Sequence, residues 1–253
     1  MTTIFTSDPH GTGDAWINKV NQMRRKYPHA QIVFGGDYID GRPDSAQVLN
    51  YVQHCCYHDA VALCGNHEDL LMTFFDDRRD RFGWHENGGN TTTESLLHHI
   101  PATALQEWSE LTSYRLYDGT LLPVWLHSLP TVHVNEDGVF VHAFLNTQYD
   151  QLETAIQQTS VYDRIWRRNF AMSDFPNKTG HTVVFGHTPT TFRERSASRV
   201  YGSDDGDNCP IVEFQSDTDA PLIAVDGGCH DMQDNHTGNV VVLEHGHVID
   251  WLT

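Results

Sequence analysis

Gln31-Ile32-Val33-Phe34-Gly35-Gly36-Asp37-Tyr38-Ile39-Asp40 runs from a short apolar stretch into a glycine pair and then two aspartates. A run this short, closed by glycine, reads as a buried strand that hands carboxylates to one edge of a sheet. The same arrangement stands on either side of it. Thr2 to Ser7 reads as a strand leading into Ser7-Asp8-Pro9-His10-Gly11, and Ala60 to Cys64 as one leading into Gly65-Asn66-His67-Glu68. Helical spacing separates the three, with Trp16, Val20, Met23 and Tyr27 before Pro28, then Val48, Leu49, Val52 and Cys56. Strand and helix in alternation predict βαβ units and a largely parallel central sheet, whose carboxyl-end loops are where α/β folds bind ligands.

Farther along, strands are expected at Leu121 to Leu126, Val139 to His142, Thr182 to Phe185 and Leu222 to Val225. Asn239 to Glu244 and His247 to Leu252 flank His245-Gly246 as a hairpin. Helices are expected from near Glu68 and over Thr92 to Ile100, Ala102 to Leu111, Tyr149 to Gln158 and Val161 to Phe170. Gly83 to Thr93 has no clear period and reads as a long loop beside the core, with the role of a substrate-side lid. The acidic loop Asp204-Asp205-Gly206-Asp207 reads as solvated surface, with calcium binding the lesser alternative.

The chain of 253 residues is 39% hydrophobic and 20% charged, enough for a sizeable core, and without a linker-like stretch it reads as one domain. A net charge of −18 lacks the basic footprint of nucleic-acid binding. No apolar run approaches the roughly 18 residues of a membrane span, and the first residues resemble no leader, so a cytoplasmic location is expected. The five cysteines contain no C-x-x-C pair, which argues against a disulfide framework or a thiolate zinc site. Histidine stands out: 17 outnumber the 16 Lys and Arg. Most need no function, since their protonation near a pKa of about 6.5 would nearly cancel the acidic charge.

Five strand ends supply Asp8, His10, Asp37, Asn66, His142 and His187, the last two in Val141-His142-Ala143 and Phe185-Gly186-His187-Thr188. Oxygen and imidazole donors without thiolate suit Mn²⁺, Fe, Zn²⁺ or related ions, Ni²⁺ included, with Mn²⁺ the first expectation. The supply favours two metals over one, with Asp37 as the bridging carboxylate.

In this order the motifs resemble the calcineurin-like metallophosphoesterases, and within them the phosphoprotein phosphatase branch. That family's pattern is D-x-H, G-D-x-x-D-R-G, G-N-H-E and two later histidines, the second in G-H-T. Here it reads Asp8-Pro9-His10, Gly36-Asp37-Tyr38-Ile39-Asp40, Gly65-Asn66-His67-Glu68, His142 and Gly186-His187-Thr188. Trp84-x-x-Asn87-Gly88-Gly89 and Ala224-Val225-Asp226-Gly227-Gly228 also look like segments of bacterial members. The resemblance spans residues 4 to about 230 and implies an α/β fold with a two-sheet β-sandwich flanked by helices, so that 1–253 reads as a single metallophosphoesterase domain with a lid or insertion at about 78–115. It assigns one metal to Asp8, His10 and Asp37 and the other to Asp37, Asn66, His142 and His187. It further implies in-line attack by a bridging hydroxide, with His67 protonating the leaving alkoxide and Asp40 orienting its ring. Arg168 in Trp166-Arg167-Arg168 resembles a phosphate clamp, with Arg167 the competing choice.

The chain departs from the pattern at Asp40-Gly41-Arg42, where the family has Asp-Arg-Gly. Either Arg42 reaches the phosphoryl oxygens through a loop shift, or Arg168 carries that contact alone. His127, His133, His181 and His230 read singly as core or surface histidines, although His230 lies in a segment that can approach the metals. The leading functional expectation is a serine/threonine protein phosphatase acting on a phosphorylated protein, peptide or small phosphoester. The alternatives are a symmetrical dinucleoside tetraphosphate hydrolase, which typically carries G-N-H-D where this chain has Glu68, and a non-catalytic metal-binding module.

Overall fold

The structure, a computed structural model, describes residues 1–77, 83–98, 115–116, 120–168, 176–190, 197–202, 208–230 and 235–253. The chain opens with β1 (Thr2–Thr6), α1 (Asp14–Lys26), β2 (Gln31–Phe34), α2 (Ser45–Cys56), β3 (Val61–Ala62) and α3 (Asn66–Asp77). A π-helical segment (His85–Gly89) continues into α4 (Asn90–His98), followed by β4 (Arg115–Leu116), β5 (Thr120–Leu121) and α5 (Leu122–His127). Next come β6 (Val132–Asn135), β7 (Gly138–Val141), α6 (Leu152–Gln158), α7 (Val161–Trp166) and β8 (Val183–Phe185). The chain ends in β9 (Arg199–Tyr201), β10 (Ile211–Phe214), β11 (Leu222–Ala224), β12 (Val240–Glu244) and β13 (His247–Leu252).

The strands form the two sheets that the resemblance implies, both mixed rather than one largely parallel sheet, in the orders β13-β12-β1-β2-β3 and β6-β7-β8-β11-β10-β9, while β4 and β5 form a separate antiparallel pair. Their centres, β1-β2-β3 and β7-β8-β11, are parallel, and antiparallel strands extend the edges. The two-residue period of the strands sorts their side chains into three apolar layers. Phe5, Val33, Phe140, Val184, Ile223 and Val241 fill the space between the sheets, with Phe5 and Phe140 stacked at 5.5 Å. Their neighbours Ile4, Phe34 and Val242 face Trp16 and Val20 of α1 and Leu49 of α2. On the far side Val139, Val183, Phe185 and Leu222 face Leu152 and Ala155 of α6. Strands buried on both faces are continuously apolar, which is why they were legible as runs.

Three expectations change. Leu121 to Leu126 is not a strand, because helix α5 begins at Leu122; Pro123 lacks the N–H a ladder needs and is tolerated in a first helical turn. Gly83 to Thr93 is not a loop: its poor helix formers are held helical by tertiary bonds, with the Thr92 hydroxyl on Asp40 and the Ser95 hydroxyl accepting from the Ala46 N–H. Strands β6, β9 and β10 had no sequence reading, since β6 and β9 are partly exposed sheet edges and Glu213 interrupts the apolar run of β10. That carboxylate is buried but accepts from the Tyr201 hydroxyl and pairs with Arg199 at 3.7 Å. The helix expected at Ala102 to Leu111, most of the insertion at about 78–115 and the loop 204–207 lie outside the described residues. Among the described residues no helix is long and apolar enough to cross a membrane.

Phe140 lies at the centre of the inter-sheet layer, so Phe140→Ala is expected to cost about 3–5 kcal/mol. Exposed Tyr162→Ala should stay within about 0.5 kcal/mol. Urea unfolding of both variants checks this, and equal midpoints would refute the layer assignment.

A candidate metal centre at the strand ends

Because the central strands of both sheets run parallel, the loops following β1, β2, β3, β7, β8 and β11 emerge together. Backbone bonds lace them to one another: the Asp8 N–H donates to Gly36 O (3.0 Å), His10 N–H to Asp37 O (3.1 Å) and Gly186 N–H to His142 O (2.9 Å). Gly186 permits the two sheets to meet, since a Cβ there would sit 1.9 Å from Asp8 Oδ2. Gly36 adopts φ +98° with Gly65 N 2.6 Å from the place of a Cβ. Asp8, His10, Asp37, Asp40 and His187 all take positive φ, a conformation costing roughly 1–3 kcal/mol at each non-glycine residue. Backbone strain thus gathers at the residues the sequence singled out.

Asp37 lies at the middle of the cluster. Its Oδ2 faces His10 Nε2 at 3.7 Å and its Oδ1 faces His142 Nε2 at 3.5 Å. Two groups of donor atoms share this carboxylate, one with Asp8 and His10, the other with His142 and His187, and a third group of His10, His67 and His230 adjoins them through His10. Asn66 Oδ1 lies 3.1 Å from His142 Nε2. All six predicted ligands are buried and brought together.

The hydrogen bonds show what this donor set suits. His10 Nδ1 contacts Ile39 O (3.0 Å), His142 Nδ1 contacts Gly35 O (2.8 Å) and His187 Nε2 contacts Trp166 O (3.2 Å). A carbonyl oxygen only accepts, so each ring proton lies on that nitrogen and each remaining lone pair points inward. His142 Nε2 and His187 Nδ1 then face each other at 3.1 Å as two acceptors. Burial pushes both imidazoles down, His187 to about 2, which keeps them neutral. Asp8 is pushed well up by burial and by the nearby charges of Asp226 and Asp37. Neutral imidazole lone pairs crowded against carboxylates fit divalent cations, which replace acceptor–acceptor repulsion with coordination.

The profile of the calcineurin-like phosphoesterases matches residues 1–227. The chain belongs to this family. No curated protein matches the chain at a significant level. Among solved structures, a proposed diadenosine tetraphosphatase shares 17% identity at a TM-score of 0.54, covering 99% of this chain and 92% of its own. The cold-active protein-tyrosine phosphatase of a psychrophilic Shewanella species shares 16% identity at 0.54, covering 98% and 76%. At such identities the likeness is one of fold.

Beside the donor cluster of this phosphoesterase, His67 Nδ1 meets Asp40 Oδ2 at 2.7 Å while its Nε2 faces Asp37 Oδ2 at 3.9 Å. Burial lowers the His67 pKa, but Asp37 and Asp40 outweigh it and raise it to about 9. Asp40 is itself held by Trp84 Nε1 (2.9 Å) and Thr92 Oγ1 (2.6 Å), partners the sequence reading did not assign. Glu68 also went unassigned: its buried carboxylate accepts from the N–H groups of Asp37, Tyr38 and Gly65 at 2.8–2.9 Å. Its place in Gly65-Asn66-His67-Glu68 was the available signal. Arg168 Nη1 donates to His187 O at 3.3 Å, whereas the Arg167 guanidinium lies 4.1 Å from the Phe144 ring centre; Arg168 is the arginine turned to the cluster. Arg42 Nε donates to Cys229 O at 2.9 Å. The His230 ring stands 4.8 Å from that of His10 and 5.1 Å from that of His67.

Because Asp37 faces both donor groups, Asp37→Asn should lower metal retention at both. Mass-spectrometric metal counts on stripped and Mn²⁺-reloaded protein check this; loss from one group only would remove Asp37 from the shared position.

Proposed function

We propose that this phosphoesterase is a dinuclear metal-dependent phosphatase of the serine/threonine protein phosphatase type, acting on phosphate monoesters. The His67–Asp40 pair beside the donor cluster carries this reading, because a purely structural metal site needs no proton donor. One divalent cation is assigned to Asp8, His10 and Asp37, and the other to Asp37, Asn66, His142 and His187. When bound, they supply charge neutralisation for the phosphoryl oxygens and an activated water nucleophile. Mn²⁺ is the ion we assign, on the mixed oxygen and nitrogen donors.

The protein's own groups do the rest. The Arg168 guanidinium, at the His187 rim, holds phosphoryl oxygens in a two-pronged contact. Asp40 fixes the Nδ1 proton of His67 and favours the imidazolium, so that Nε2 carries the transferable proton. As the phosphorus–oxygen bond breaks, that proton passes to the leaving alkoxide, which departs as an alcohol and leaves inorganic phosphate.

Turnover of an aryl phosphate, a phosphoserine peptide, a phosphotyrosine peptide and diadenosine tetraphosphate by Mn²⁺-loaded protein tests the assignment. Faster turnover of phosphoserine than of the dinucleotide supports it; the reverse order selects the dinucleotide hydrolase. No metal-dependent turnover of any of them would reject an enzyme.

His67→Asn should lower phosphoserine turnover by roughly 10²–10⁴-fold and aryl phosphate turnover far less, because an acidic leaving group needs little proton assistance. The proton donor is lost as pH rises through the His67 pKa, giving kcat/KM an alkaline limb. Removing the Asp40 charge lowers that pKa, so Asp40→Asn should move the limb to lower pH. An unmoved limb would uncouple the two residues.

A further inference from the structure

Three segments meet on the His67 side of the metal centre. Gly41, at φ +86°, lies beneath His230, whose carbonyl oxygen is only 2.8 Å from the place a Cβ on Gly41 would occupy. Gly88 packs on the same turn, with Gly41 N 2.6 Å from the place of its Cβ. Any larger residue at 41 would lift the loop that carries His230 away from the centre. Arg42 pins that loop from the other side through its bond from Nε to Cys229 O (2.9 Å). The reversed order Asp40-Gly41-Arg42 therefore has a structural consequence: glycine makes room for His230, and arginine holds it there.

The seated imidazole is exposed, unlike the buried rings of His10 and His67 that it adjoins. It stands edge-on to His10 and tilted against His67. Its Nε2 donates to Asn87 O at 3.2 Å, a long bond to a neutral acceptor. An anionic oxygen is the stronger acceptor and can draw that donor away by a small ring rotation.

We propose that His230 is a substrate-binding residue that donates a hydrogen bond to a phosphoryl oxygen beside the leaving group, and that Arg42 is a positioning residue acting through it. The inference rests on the phosphatase reading for its substrate class. Arg168 then serves the His142–His187 side of the phosphoryl group and His230 the His10–His67 side. The ligand it takes is a phosphate monoester dianion or the inorganic phosphate product.

The test uses Mn²⁺-loaded wild type, His230→Ala, His230→Gln, Arg42→Ala and the double alanine variant. Two quantities are read: KM and kcat for a phosphoserine peptide, and calorimetric Kd for inorganic phosphate, which needs no turnover. His230→Ala should raise both KM and phosphate Kd about tenfold, the loss of one charge-assisted contact, with metal content unchanged. His230→Gln, which keeps a donor nitrogen, should recover part of the loss. Arg42→Ala should give the same defect and add nothing in the double variant, because it acts through His230. Wild-type phosphate affinity in His230→Ala would overturn the proposal. So would additive losses, which would place Arg42 on the phosphate itself, or a fall in metal content, which would make His230 a ligand. If the wild type hydrolyses no phosphoester, the phosphatase reading fails, while the phosphate Kd series still decides the role of His230.

Discussion

The Glu68 carboxylate, wholly buried, accepts hydrogen bonds from the backbone N–H groups of Gly65, Asp37 and Tyr38 and so joins the loops that end β2 and β3. Everything at the centre hangs from this junction. With Asp37 held by its backbone, its side chain is free to face both histidine groups, and its Oδ1 accepts the N–H of His67 in the first turn of α3 (3.0 Å). The arrangement opposes itself electrostatically: burial and the Asp37 charge push Glu68 up to about 8, while the three N–H bonds pull it down. Burying the carboxyl groups of Asp8, Asp37, Asp40 and Glu68 together with several imidazoles costs stability. Cation binding would offset that cost, which couples metal affinity to folding.

The sandwich makes such a centre affordable in conformational terms. Apolar layers on both faces of each sheet hold the strands rigidly, so the loops at their ends keep Asp8, His10, Asp37, Asp40 and His187 in positive-φ conformations that isolated peptides would leave. Pre-organised donors need little rearrangement when charge develops on a substrate, and this is the source of electrostatic catalysis in preformed sites.

A second set of bonds ties the segment from Trp84 to Ser95 to the donor cluster and the loops beside it. Trp84 and Thr92 both donate to Asp40, Ser45 shares the Thr92 hydroxyl at 3.0 Å, and Asn87 receives His230. The segment is thus the packing partner of the His67–Asp40 pair. Its threonines are poor helix formers by propensity, and the Thr92 hydroxyl gains its meaning only from Asp40 and Ser45 opposite it.

The candidate donor residues were legible in the sequence because the pattern that carries them is local. Strand, glycine and donor are covalent neighbours in Phe34-Gly35-Gly36-Asp37 and Phe185-Gly186-His187, and buried strands advertise themselves as apolar runs. That reasoning reached Asp8, His10, Asp37, Asn66, His142 and His187 as one candidate set, and the family resemblance added His67 with Asp40. What depended on distant partners stayed hidden. Adjacent Arg167 and Arg168 are equivalent on paper and diverge only when Phe144 receives one and His187 the other. The edge strands β6 and β9 carry the mixed polarity of half-exposed surface, and helix α5 was mistaken for a strand because a short apolar run has no decisive period. Glu68, Thr92 and His230 have their roles through residues about 30, 50 and 160 or more positions away, at separations where only the packed chain specifies contact. Sequence thus determined which donors exist and that strand ends present them; the fold determined which lone pairs face inward and which side chains hold them there.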